Sequence, residues 1–115
     1  MSQDGAEPFL QEMRMLISKG LKHFVRRNRD GKSYIQMLAD LGLTSIEEAW
    51  DYVLELTKEH YISGPQKDLR DGPDGPLVIW VFKMNINGIP TYVKLKNETA
   101  ERGCVCISFH PDEPS

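Results

Sequence analysis

Between residues 78 and 96, apolar and polar positions alternate with period two on either side of one turn signal. Trp80, Phe82 and Met84 precede that signal, and Val93 and Leu95 follow it. The signal is Asn87-Gly88, flanked by Ile86 and Ile89, and it predicts a type I′ hairpin, because such a turn needs positive φ at both central residues. Counting outward from it pairs Lys83 with Tyr92, Phe82 with Val93, Val81 with Lys94, Trp80 with Leu95 and Ile79 with Lys96. Since successive strand side chains point to opposite faces, one face of this hairpin is apolar and must be covered. The other carries Lys83, Tyr92, Lys94 and Lys96. Residues 104–110 alternate in the same way. Matching their parity puts Val105, Ile107 and Phe109 on the core side, and Cys104, Cys106, Ser108 and His110 beside the lysines.

The first half of the chain has helical periodicity instead. Phe9, Leu10, Met13, Leu16 and Ile17 recur at helical spacing after Pro8, which suits a first turn, and Gly20 supplies a stop. Ser33 is a predicted N-cap for a helix to Leu41 with Tyr34, Met37, Leu38 and Leu41 as its buried stripe, ended by Gly42. Thr44 with Glu47 three residues later predicts a capping box, followed by Ala49, Trp50, Val53, Leu54 and Leu56 toward the core. Residues 22–28 are ambiguous between an extended segment and a basic loop. His60, Tyr61 and Ile62 are expected to begin the sheet, and 64–76, with three glycines and three prolines, reads as a loop. Helices first and strands afterwards predict an α+β domain, a small antiparallel sheet of three to four strands packed on N-terminal helices. One domain over 8–111 is expected, with tails at 1–7 and 112–115.

Composition narrows the setting. A chain of 115 residues can bury a modest core unaided. No apolar run reaches membrane-spanning length and no signal peptide is evident, so a cytoplasmic protein is expected. Cys104 and Cys106, two apart on one strand, are poorly placed to bond each other, and reduced thiols fit that compartment. They are expected either as small buried hydrophobes or as thiols sharing the lysine face. With only three scattered histidines, a zinc site is not expected. A net charge of −3 argues against nucleic-acid binding by bulk electrostatics. The distribution tempers this, because the window 14–32 holds seven basic residues and Asp30 as its one acid, whereas acids crowd 47–59. The basic segment has three readings: an RNA-backbone contact, a docking surface for an acidic protein, or a solvated loop.

The order of several strings carries a resemblance. Leu38-Ala39-Asp40-Leu41-Gly42-Leu43, Glu59-His60-Tyr61, Ile79-Trp80, Thr91-Tyr92-Val93-Lys94 and Ile107-Ser108-Phe109-His110 together resemble the MqsR family of toxin–antitoxin mRNA interferases. That resemblance implies a RelE-like fold and metal-independent cleavage of mRNA, with or without a ribosome, needing no cofactor. It further implies a cognate antitoxin that carries a zinc-binding region and a helix-turn-helix. Carried across by position, the family's tyrosine corresponds to Tyr92 and its neighbouring basic residue to Lys94, while His110 replaces a lysine. Val81 and Ile62 stand where the family has a glutamine and a lysine, so Lys67, Lys83 or Lys96 would have to substitute.

Metal-free RNA cleavage needs a base near the 2′-hydroxyl, a cation at the phosphate and an acid for the leaving 5′-oxygen. Tyr92, Lys94, Lys96 and His110 are the expected catalytic residues, with Lys83, Arg26, Arg27 and Lys67 binding substrate. His110 is the expected general acid, because histidine exchanges protons near neutrality. Tyr92 is expected to position the nucleotide or relay a proton. The competing expectation is a non-catalytic interaction module on the same fold, in which Val81 and Ile62 mark a dismantled site and the lysines are a solvated face that discourages edge pairing.

Overall fold

A computed structural model describes residues 5–98 and 101–112. Its element order is α1 (Ala6–Ser18), β1 (Lys22–Phe24), α2 (Tyr34–Asp40), α3 (Ile46–Val53), β2 (Tyr61–Lys67), β3 (Leu77–Ile86), β4 (Ile89–Glu98) and β5 (Gly103–Pro111). One-turn 3₁₀ helices at Lys58–His60 and Leu69–Asp71 flank β2. The domain is α+β, as the order of helical and alternating segments predicts. The sheet is larger than expected and mixed, five strands in the order β1-β5-β4-β3-β2, with β1 parallel to β5.

The β3–β4 hairpin has the register counted from its turn, from Ile86 opposite Ile89 out to Ile79 opposite Lys96. Asn87 at φ 53° and Gly88 at φ 83° supply the two positive dihedrals that the turn requires. On one face Trp80, Phe82, Met84, Val93 and Leu95 join the buried residues of α1, α2 and α3 in a single core. Phe9 of α1 stacks on Trp80 with ring centroids 5.1 Å apart. Each such large apolar side chain, once fully buried, stabilises the fold by about 1.5–3 kcal/mol.

Several expectations are corrected. The expected tail at 1–7 is helical from Ala6, which is fully buried. Residues 1–4 of that tail and 113–115 of the other lie outside the described residues. The third helix is capped by Ser45, whose hydroxyl accepts from the Glu48 N–H, and the Glu48 carboxylate accepts from the Thr44 N–H and hydroxyl, so the cap sits one residue later than Thr44–Glu47. Leu54 is exposed. Residues 64–67 continue β2, whose Gly64 and Pro65 obscure the alternation of a strand. Lys22–Phe24 is a strand, too short for periodicity to reveal, and it is tied in where the Cys104 N–H donates to the Leu21 carbonyl at 3.0 Å. Gly103 precedes that bond with φ +81°, and a Cβ there would collide with the Leu21 carbonyl.

The largest correction concerns β5. Lys94 pairs with Ser108 but Leu95 pairs with Cys106, so Ile107 is an extra residue in a β-bulge. Parity reverses across it. Cys104 and Cys106 enter the helix-side core, and Val105 and Ile107 pack with Ile79 on the opposite face. The parity inferred from sequence holds only for Ser108, Phe109 and His110.

Candidate functional site

Three cross-strand rows make up the face opposite the helix-side core, in which Lys83, Tyr92, Lys94 and Ser108 are the residues that reach the surface. Lys83, Tyr92 and His110 form the first, Val81, Lys94 and Ser108 the second, and Ile79, Lys96 and Val105 the third. A strand rises about 3.4 Å per residue, so Tyr92, Lys94 and Lys96 stand about 7 Å apart along its middle.

The His110 ring stacks on Tyr92, with centroids 5.4 Å and planes 27° apart. Its Nδ1 lies 2.9 Å from the Pro111 carbonyl oxygen. A carbonyl only accepts, so Nδ1 carries the proton and Nε2 is the basic nitrogen of a neutral ring. Burial is the main influence on His110 and pulls its pKa below the ordinary histidine value; the bond to Pro111 opposes this and Arg29 adds to it. A neutral imidazole is a proton acceptor. The role of proton donor expected from sequence would need the charged ring that burial disfavours.

The lysines of this face differ in what they meet. Lys83 is ion-paired with the carboxylate of Asp112 just beyond β5. Lys96 is buried, its ammonium 2.8 Å from Asp68, 3.2 Å from Glu98 and 3.3 Å from Asp71. Burial alone would lower the Lys96 pKa, but its hydrogen bonds to Asp68, Glu98 and Asp71 raise it, so it stays charged. Lys96, expected from sequence as a catalytic residue, is therefore occupied as the centre of a structural ion cluster. The surrounding hollow, about 540 Å³, adds Glu101 to these acids and Arg70 and Arg102 to the cation, so its charges largely offset one another. Lys94 differs: among the described residues no carboxylate lies within ion-pair distance of its ammonium.

Lys94 borders a second groove of about 530 Å³, together with Arg27, Gln66, Lys67, Arg70 and Ile107. The groove thus unites three of the residues picked out from sequence, Lys94, Arg27 and Lys67. Its one acid among the described residues, Asp68, is already engaged on both oxygens. Oδ2 is held by Lys96 and by the Arg70 guanidinium, and Oδ1 accepts from the Arg70 backbone N–H. The Lys96 hydrogen bond, followed by those from Arg70, holds the Asp68 pKa well below the usual carboxylate range. Arg26 is not part of this arrangement; it lines a separate hollow with Lys22, Glu47 and Trp50. Gln66 and Arg70 carry no signal in the sequence: 64–76 reads there as a loop, and Lys67 within it is marked only by its charge. The signal that finds them is the pairing of Gln66 with Ile79, which brings β2 onto the same sheet.

The cysteines are free and buried. Burial pushes the Cys104 thiol up to about 12 and that of Cys106 well above its ordinary value, so neither offers a thiolate to this face. Among the described residues, no group of three or more His, Cys, Asp or Glu is placed to hold a metal ion, and no helix is long and apolar enough to cross a membrane. Compared with known proteins, the chain matches no family model, no curated protein and no solved structure.

Proposed function

We propose that this chain is a metal-independent endoribonuclease that cleaves mRNA, the toxin of a toxin–antitoxin pair of the MqsR kind acting in the cytoplasm. The observation that carries the reading is the Tyr92–His110 stack one row from Lys94, whose cation is met by no carboxylate among the described residues. His110 Nε2 takes the proton of a ribose 2′-hydroxyl, and the 2′-oxygen bonds to phosphorus. The bond from phosphorus to the 5′-oxygen breaks, leaving a 2′,3′-cyclic phosphate. Tyr92 gives its hydroxyl proton to the departing 5′-oxygen and regains one from His110. Lys94 stabilises the charge that grows on the non-bridging oxygens. A zinc-binding, helix-turn-helix antitoxin as partner belongs to the same proposal and rests on the sequence resemblance.

A non-catalytic interaction module is the second reading, and the neutralisation of Lys83 by Asp112 and of Lys96 by three acids favours it. One experiment separates the two. Purified protein and its His110→Gln variant are incubated with a long unstructured RNA and a chelator, with and without translating ribosomes, and the new 5′ ends are mapped. Discrete cuts that the variant loses support the ribonuclease. Intact RNA under both conditions leaves the interaction module.

A further inference from the structure

The groove beside Lys94 has a composition that a bare phosphate site does not need. Its cations are Lys94, Arg27, Lys67 and Arg70, against one carboxylate among the described residues, Asp68, which is paired with Arg70 and Lys96. Its floor is apolar, since Ile79 and Ile107, 6% and 7% exposed, belong to the small cluster that the bulge in β5 brings onto this face and show their outer edges to the groove. Gln66 stands at the wall, paired with Ile79, and supplies an uncharged amide with both donors and an acceptor. Cations, an apolar platform and one amide match the three parts of a nucleotide: phosphate, base face and base edge.

We infer that this groove is a nucleotide subsite, in which Gln66 reads the edge of one base of a single-stranded RNA laid over Ile79 and Ile107. The inference rests on the ribonuclease reading and deepens it, because it makes Gln66 a specificity-determining residue one step from the scissile bond. The step fits the strand. Residues two apart on β4 are separated by about 7 Å, comparable with the stride of an extended nucleic-acid backbone. With the scissile phosphate between the Tyr92–His110 pair and Lys94, the neighbouring phosphate falls toward Arg27 and Lys67 and the attached base over the groove. Asp68 has a supporting part: fixed by Lys96, it holds the Arg70 guanidinium at the rim.

The test is a titration of the full chain with the four nucleoside monophosphates and with inorganic phosphate, followed by amide and Gln side-chain resonances. The expected result is a set of shifts at Gln66, Ile79, Lys94 and Ile107, with one base favoured by about fivefold, the size of a single net hydrogen bond. In Gln66→Ala the shifts at Lys94 persist and the preference disappears; the cut-site map of the same variant loses a base preference at one position. Gln66 is exposed, so its replacement leaves the fold intact. Equal shifts from all four nucleotides and inorganic phosphate overturn the inference, as does their absence, or a response to an acidic peptide alone. Selective nucleotide binding by a chain that cuts no RNA retains the subsite and removes the ribonuclease reading. Cleavage whose base preference survives Gln66→Ala does the reverse.

Discussion

Lys94 and Lys96 are two residues apart on one strand, point to the same face and have the same side chain, yet they end in opposite situations. Lys96 is closed in by Asp68, Asp71 and Glu98. Lys94 opens on a groove of cations and apolar carbons. The difference lies in what arrives from elsewhere in the chain. The segment after β2 delivers Asp68 and Asp71 to one lysine, and β2 itself delivers Gln66 and Lys67 to the other. A charged residue on a sheet face acquires its role from the neighbour that crosses over it, so identical positions can serve structure and chemistry.

That contrast can be broken from either side. The largest effect is expected at the open end. His110→Gln should slow RNA cleavage by about 100-fold or more when compared at matched folded fraction, since His110 is itself buried, against Tyr92 and bonded to the Pro111 carbonyl. Lys94→Ala should cost a similar factor in cleavage rate, whereas an equal loss in Lys96→Ala at matched folded fraction would show that the two ends are not distinct.

At the closed end the readout is stability. Lys96→Met leaves Asp68 and Glu98 without their shared cation and should destabilise the domain by about 2–3 kcal/mol in urea unfolding, below the ~3–5 kcal/mol of a fully buried broken pair because Arg70 and Arg102 still pair with them. Lys94→Met should cost well under 1 kcal/mol.

The pH dependences should separate as well. Asp68 and Glu98 have depressed folded pKa values, Glu98 to about 2 through its bonds to Arg102 and Lys96. Their contribution is complete above the ordinary carboxylate range and is lost as pH falls toward the folded values. Stability should therefore decline from about pH 4 downward, and that decline should be shallower in Lys96→Met. Cleavage should instead rise with pH through a midpoint below the ordinary histidine value and then level off, because neutral His110 is the active form. The smallest effect is that of Asp112→Asn, which frees Lys83 and should tighten RNA binding by about twofold, the scale of an exposed ion pair.

The same contrast explains what the sequence makes legible. The β3–β4 register and the buried stripe of α1 follow from a turn dipeptide and from local periodicity, and both are found as read. Tyr92, Lys94, Ser108 and His110 share a face because local alternation holds through them. What stays hidden is non-local. The bulge at Ile107 is a relation between β4 and β5, and no residue near it departs from the alternation. The acids that occupy Lys96 include Asp68, 28 residues away in a segment without a strong pattern. Arg70 and Gln66 are hidden for the same reason. Lys22–Phe24 becomes a strand only through pairing with β5, some eighty residues later.

The bulge also divides β5 in the way it can tolerate change. Upstream of Ile107, every second residue is committed to the helix-side core, and a polar substitution at Cys104 or Cys106 would be penalised as an interior one. Downstream, the inward commitment passes to Phe109 alone, and Ser108 and His110 turn to the opposite face, where Ser108 is partly exposed and His110 is buried beside Tyr92. A single inserted residue acts as a change of reading frame for side chains: the even-numbered positions that face the helix-side core before Ile107 face the opposite side after it.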